Sequence, residues 1–122
     1  KHFVGHGQPE GGRNTAPANL SDRWLRETLL VPFETVVRNT DVQSIMASYN
    51  EIGGLPLHAN KKFLTQILVD EWGYRGYVSS DSGGIEDLYR LHKVAHDERE
   101  AATRAITAGV DGEMVDDDTG RD

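Results

Sequence analysis

From Ser21 onward one order recurs three times: a stretch with apolar residues at helical spacing, a short apolar run, then a turn rich in glycine and polar residues. No other feature restricts the fold as much. Alternating units of this kind build a parallel sheet, because a parallel neighbour is reached only through a crossover long enough to hold a helix. Ser21 is placed to cap a helix with Trp24, Leu25 and Leu29 on one face, and Pro32 either kinks it or starts a second turn carrying Phe33, Val36 and Val37. The run 42–49, centred on Ile45, Met46 and Ala47, predicts a buried strand, with its loop at 50–54. Asn60 is predicted to cap the next helix, which lines up Phe63, Leu64, Ile67, Leu68 and Trp72 and stops at Gly73 before a strand at 77–80. After the loop 81–84, helices are expected over 85–92 and 97–108, the latter with Ala102, Ala105 and Ile106 on its inner face and Gly109 as its stop. Residues 1–19 read as loop around a strand end at Lys1, His2 and Phe3, so four strands are expected in all.

Thirteen Lys and Arg against twenty Asp and Glu leave a net charge of −7 with no basic cluster, which argues against a nucleic-acid platform. No apolar run is long enough for a membrane span or a signal-peptide core. The absence of cysteine removes disulfides, thiolate zinc sites and cysteine nucleophiles, so chemistry falls to oxygen and nitrogen groups. Apolar residues make up 37%, lean for an independent core. The chain starts at Lys1 without a methionine and stops inside an acidic turn, and the expectation is a piece of a longer protein.

Polar residues stand at each expected strand exit: Lys1 and His2, then Ser48, Tyr49 and Asn50, then Ser80, Asp81 and Ser82, then Asp111 and Glu113. Successive exits of a parallel sheet share one face, so these residues together describe a pocket. Asp81, between an apolar strand and a glycine pair, is the candidate nucleophile; the alternative is that it caps the helix expected near Ile85. Tyr49 could set its hydroxyl beside Asp81, and Lys1 and His2 could donate hydrogen bonds to a polar ligand. His92 and His96 have the spacing of a helical metal pair but lack the accompanying Glu of a zinc-protease signature. Asp116, Asp117 and Asp118 resemble the start of a calcium loop without its later ligands, and the glycines of residues 5–12 lack a phosphate-loop lysine.

The run Lys-His-Phe-Val-Gly-His-Gly at residues 1–7, then Ser48-Tyr49-Asn50 with Gly54-Leu55-Pro56, then Ser80-Asp81 and Gly109-Val110-Asp111, resembles glycoside hydrolase family 3, the β-glucosidase and β-xylosidase group. The resemblance implies an α/β fold, the C-terminal half of a (β/α)₈ TIM-type barrel running from about the exit of strand 5 to strand 8, with a second α/β sandwich domain outside this chain. It implies a retaining, exo-acting β-glycosidase, β-glucosidase first and β-xylosidase second, acting on β-linked glucoside or xyloside oligosaccharides, with no metal or cofactor and no nucleic-acid or membrane partner. By that resemblance Asp81 is the nucleophile, Tyr49 orients it, and Lys1, His2 and Tyr49 bind sugar. The acid/base carboxyl would come from outside the chain, so the isolated piece would be inactive.

Two departures stand out. His6 echoes the β-N-acetylglucosaminidase branch, whose acid/base pair lies on this loop, but residues 8–15 hold no His; and Ser82 stands where many members carry Trp after the nucleophile. A non-catalytic sugar-binding or structural half-barrel stays open from the residues alone, as does a phosphorylase using the same nucleophile.

Overall fold

The computed structural model describes residues 1–115, so the acidic run at Asp116, Asp117 and Asp118 lies outside the described residues. In chain order the main elements are α1 (Asp22–Trp24), which continues into a π-type turn (Leu25–Leu29), α2 (Val31–Asn39), β1 (Ser44–Met46), β2 (Glu51–Ile52), β3 (Leu55–Pro56), a π-type helix (Lys62–Glu71), β4 (Tyr77–Ser79), α3 (Asp87–Arg90) and α4 (Glu98–Ala108).

β1 pairs in parallel with β4, Ile45 opposite Val78. Single parallel bridges extend this pair on both sides, Phe3 to Ala47 and Ser79 to Gly112. Four segments therefore lie side by side in the order in which the chain makes them, joined by bonds such as Phe3 N–H to Met46 O (2.8 Å), Ala47 N–H to Ser79 O (3.0 Å) and Ser80 N–H to Gly112 O (2.9 Å). Ile45 and Val78 share the buried face, while Ser44, Met46, Tyr77 and Ser79 on the other face are exposed or half-buried. Alternation along each strand produces this split.

The buried face is covered mainly by the π-type helix, which contributes Phe63, Leu64, Ile67 and Leu68 at three- and four-residue spacing. Phe3 meets Phe33 and Trp72 edge-on, with ring centroids 5.1 Å and 6.0 Å apart. Between β1 and that helix, β2 and β3 form a two-residue hairpin whose Gly53 and Gly54 both take positive φ, the geometry that suits the twist of a tight antiparallel pair.

Several elements differ from the sequence expectation, each for a physical reason. Trp24 is 48% exposed, because the i→i+5 bond from Leu30 N–H to Leu25 O stacks those two leucines on the inner face and turns Trp24 outward. In α4 the inner stripe is Ala101, Ala105 and Ala108, while Ala102 is half-buried and Ile106 is 71% exposed. The small alanines let the helix approach closely, so the one large apolar residue is left on the outside. Asn60 does not cap: its amide reaches back to the carbonyls of Ile52 and Leu55, and only its own carbonyl takes the Leu64 N–H. The regular part of the strand expected over 42–49 is confined to β1, and the helix expected over 85–92 to α3.

α4 is closed at its start by Asp97, whose carboxylate accepts from Glu100 N–H at 2.8 Å, while Glu100 reaches back to His96 N–H. Asp97→Ala should therefore cost about 1 kcal/mol of stability. Truncating Leu68, which is wholly buried under the sheet, to alanine should cost about 2–5 kcal/mol. Chemical denaturation midpoints of the two variants check both size and order.

Candidate active site

Asp81 leaves the end of β4 on a tight turn closed by Gly84 N–H bonding to its carbonyl at 3.0 Å. Its Oδ1 accepts from the Tyr49 hydroxyl at 3.0 Å and from Ser82 N–H at 2.8 Å, and Oδ2 lies 3.6 Å from His2 Nε2. The Asp81 side chain is 14% exposed, enough to present one edge of the carboxylate to the open side. Its carboxylate caps no helix. α3 begins six residues later, and the first-turn N–H of Asp87 bonds instead to the Gly83 carbonyl.

Tyr49 arrives from the neighbouring exit, two residues beyond the Phe3–Ala47 bridge. Its single phenolic hydrogen faces two acceptors, Asp81 Oδ1 and the Ser82 carbonyl, the latter at 2.5 Å. The phenol is thus locked across the Asp81–Ser82 peptide. The β1 exit below it is held by Ser48 Oγ and Asn50 Nδ2, which both donate to the Val4 carbonyl at 3.1 Å.

From the first segment, His2 stacks on His6 with centroids 4.3 Å apart. Burial, then the neighbouring His6, lowers the His2 pKa, and the Asp81 carboxylate opposes them. His6 Nδ1 is buried without a hydrogen-bond partner among the described residues. Lys1 is exposed and borders an apolar cleft with Phe33, Val36 and Ile45. Three of the four residues singled out in the sequence thus meet, His2, Tyr49 and Asp81, with Lys1 at their margin. Asp111 does not join them: its carboxylate accepts the Val78 N–H at 2.8 Å, and Glu113 is exposed.

The residue that sequence reasoning missed is His58. It is 1% exposed, and its Nε2 accepts the backbone N–H of Asp81 at 2.9 Å. A second hydrogen bond joins its ring to the Ser48 backbone. Burial pushes its pKa down to about 4, with the Asp81 carboxylate opposing and His92 reinforcing the shift, so the ring is neutral and one nitrogen is free to accept. Gly84 is shaped to it, since a Cβ there would stand 2.3 Å from His58 Nε2. A lone His inside Leu55-Pro56-Leu57-His58-Ala59, otherwise apolar, was the available signal.

His92 and His96 do not form a pair. The His92 side chain is 4% exposed and its Nδ1 lies 3.7 Å from Glu51 Oε1, whereas His96 is on the surface before α4. Among the described residues no group of three or more His, Cys, Asp or Glu is placed to hold a metal ion.

His58 also sets an acid limit. The folded chain keeps the ring neutral down to about pH 4 while the unfolded chain takes up a proton near its ordinary pKa of 6.5. Stability is therefore full above about pH 6.5 and falls as pH drops to about 4, by roughly 3 kcal/mol across that window. Thermal melts across that range should show the loss, and His58→Gln should flatten it.

The whole of this geometry lies within a match to the family model for the glycosyl hydrolase family 3 N-terminal domain, which covers residues 1–121. The chain is 40% identical over 119 residues to a putative beta-xylosidase of Formosa agariphila, covering 98% of this chain and 16% of that protein. It is 32% identical to the periplasmic beta-glucosidase of Salmonella typhimurium, covering 96% of this chain and 15% of that one. Among solved structures, a β-glucosidase from Erythrobacter marinus superposes with a TM-score of 0.92 at 40% identity, over 95% of this chain and 15% of that one. The chain spans about a sixth of the length of the first of these relatives. With this match over nearly its full length, the chain belongs to glycosyl hydrolase family 3, within that family's N-terminal domain of TIM-barrel type.

Proposed function

We propose that this chain carries the nucleophile side of a retaining, exo-acting β-glycosidase, with Asp81 as nucleophile, Tyr49 orienting it, and Lys1, His2 and Tyr49 binding the sugar at the cleaved end. The observation that carries the reading is the Asp81 carboxylate, held at 3.0 Å by the Tyr49 hydroxyl at a strand exit and used by no helix cap. Four parallel segments in chain order fit a run of consecutive barrel strands, which the family resemblance would number from about 5 to 8. The substrate is a β-linked glucoside or xyloside, the class named for relatives on both sides.

In this reading Asp81 attacks the anomeric carbon with one carboxylate oxygen while the glycosidic bond breaks and the leaving oxygen takes a proton. That proton comes from a second carboxyl about 5–5.5 Å away, which then draws a proton from water as the glycosyl ester is hydrolysed. This partner belongs to a part of the protein outside residues 1–122, in a following domain. With Ser82 following the nucleophile where many members carry Trp, this position offers a hydroxyl rather than a stacking ring. Ser82 N–H and the Tyr49 hydroxyl both point at Oδ1, which leaves Oδ2 as the attacking atom on the side of His2.

Two measurements on the complete enzyme test this. Proton NMR of the first sugar released from a β-glycoside should show the β-anomer, and an α-anomer first would end the double-displacement reading. Asp81→Asn should reduce turnover by several orders of magnitude, on the order of 10³-fold or more, with little change in melting temperature. Tyr49→Phe should cost less, about 10- to 100-fold. Near-normal turnover of Asp81→Asn would refute the nucleophile assignment.

A further inference from the structure

We propose that His58 is a positioning residue for the nucleophile: its buried imidazole bridges the β1 exit at Ser48 to the β4 exit at Asp81 and so holds the Asp81 carboxylate against Tyr49. The inference rests on Asp81 being the nucleophile.

Two backbone donors of the turn go to side chains, Ser82 N–H to the Asp81 carboxylate and Asp81 N–H to an imidazole from another segment. Asp81 N–H does not enter the parallel ladder, which ends with Ser80 N–H on the Gly112 carbonyl. It bonds instead to His58 Nε2 at 2.9 Å, in a place where His58 is 1% exposed and water has no room to substitute. A peptide N–H fixed in this way fixes the plane from which the Asp81 side chain departs, and therefore where its oxygens fall.

The second ring nitrogen gives the bridge its other end. It is bonded to the backbone of Ser48, and a neutral imidazole has one donor and one acceptor nitrogen. With Nε2 accepting, Nδ1 donates, so the acceptor at Ser48 is its carbonyl, and this carbonyl is part of the peptide that leads into Tyr49. One ring therefore sets both partners of the Tyr49–Asp81 hydrogen bond, whose hydroxyl-to-carboxylate distance is 3.0 Å. The Tyr49 and His58 rings lie with centroids 6.0 Å apart, consistent with a single packed unit.

The seat is built for the imidazole. Gly84 closes the same turn as Asp81, and any Cβ on it would overlap Nε2, Cε1 and Cδ2 of His58 at 2.3 to 2.9 Å. His92, which lies 3.7 Å from the Glu51 carboxylate, acts electrostatically on the ring. Burial and His92 together oppose protonation of His58, which would turn the acceptor into a donor facing an N–H. At 1% exposure the ring offers no surface to a substrate, so its contribution passes through Asp81.

Two substitutions in the complete enzyme separate this role from simple packing. His58→Gln can place a carbonyl oxygen near the Nε2 position and keep an acceptor for Asp81. His58→Asn can keep a donor for Ser48 but does not reach Asp81. With 4-nitrophenyl β-D-glucoside and β-D-xyloside, His58→Asn should lower kcat by about 30-fold or more with KM and inhibition by free sugar within about threefold, while His58→Gln stays within about fivefold of the parent. Equal losses in both variants, or no loss in the folded Asn variant, overturn the proposal. If His58→Asn does not fold, His58→Gln decides: retained kcat supports the role, and a fall of about 30-fold or more at unchanged Tm overturns it. Asp81→Asn run beside them keeps the two readings apart. Its survival would sink the nucleophile assignment, whereas an inactive Asp81→Asn with a fully active His58→Asn sinks the positioning role alone.

Discussion

Three parallel backbone seams, Phe3 to Ala47, β1 to β4, and Ser79 to Gly112, determine where every side chain of the site begins. A parallel ladder delivers all its strands in one direction, so their carboxyl ends open on a single edge. His2, Tyr49 and Asp81 are separated by tens of residues in sequence, yet each stands within a few positions of one of these bridges. Their meeting follows from register. A slip of one residue of β1 against β4 would turn Ile45 off the buried face and put Ser44 or Met46 in its place, and the loss of packing against Val78 holds the register.

The same edge concentrates the buried polar groups. Ser48, Asn50, His58, Asn60 and Ser80 are the polar residues buried among the described residues, and all belong to the strand exits or to the hairpin and turn beside them. Each needs a partner in a place water does not reach. Ser48 and Asn50 find the Val4 carbonyl, Ser80 Oγ takes the Met114 N–H at 2.7 Å, and His58 takes the Asp81 N–H. The apolar helices below make the sheet compact. The polar belt above ties the exits to one another, and that is what a catalytic edge requires, since a carboxylate useful in a displacement must be held while still reaching solvent.

Belonging to glycosyl hydrolase family 3 gives these contacts a chemical sense. A sheet edge that holds one partly open carboxylate between a phenol and an imidazole suits attack on an electrophilic carbon, and the names of the relatives divide between glucosides and xylosides. In the proposed reading the described residues supply the attacking side of such a site. Relatives of which this chain spans about a sixth have ample further chain for the proton donor.

How much of this was legible depended on whether the signal was local. The alternation of helix and strand, the strand centres at Ile45 and Val78, the inner face Phe63, Leu64, Ile67 and Leu68, and the polar residues at each exit were all written in short-range pattern, because burial of one face imposes periodicity on the chain that makes it. Motif order was enough to suggest the family and to single out Asp81, Tyr49, Lys1 and His2. Local pattern erred where a neighbour decided the outcome. Trp24 turned outward because an i→i+5 turn changed the helix phase, Ile106 was displaced by the close approach of an alanine stripe, and Asn60 gave its side chain to the hairpin rather than to a cap. His58 was invisible for the same reason. Its partners Ser48 and Asp81 lie on two other segments, and an imidazole becomes a neutral, buried acceptor only after the sheet and the Gly84 turn have closed around it. The sequence by itself determined where helix and strand alternate and which polar residues stand at the strand exits, since those follow from side-chain type and spacing. Only the tertiary structure decided which of those residues touch and which groups are left without water, since both depend on atoms brought together across the chain.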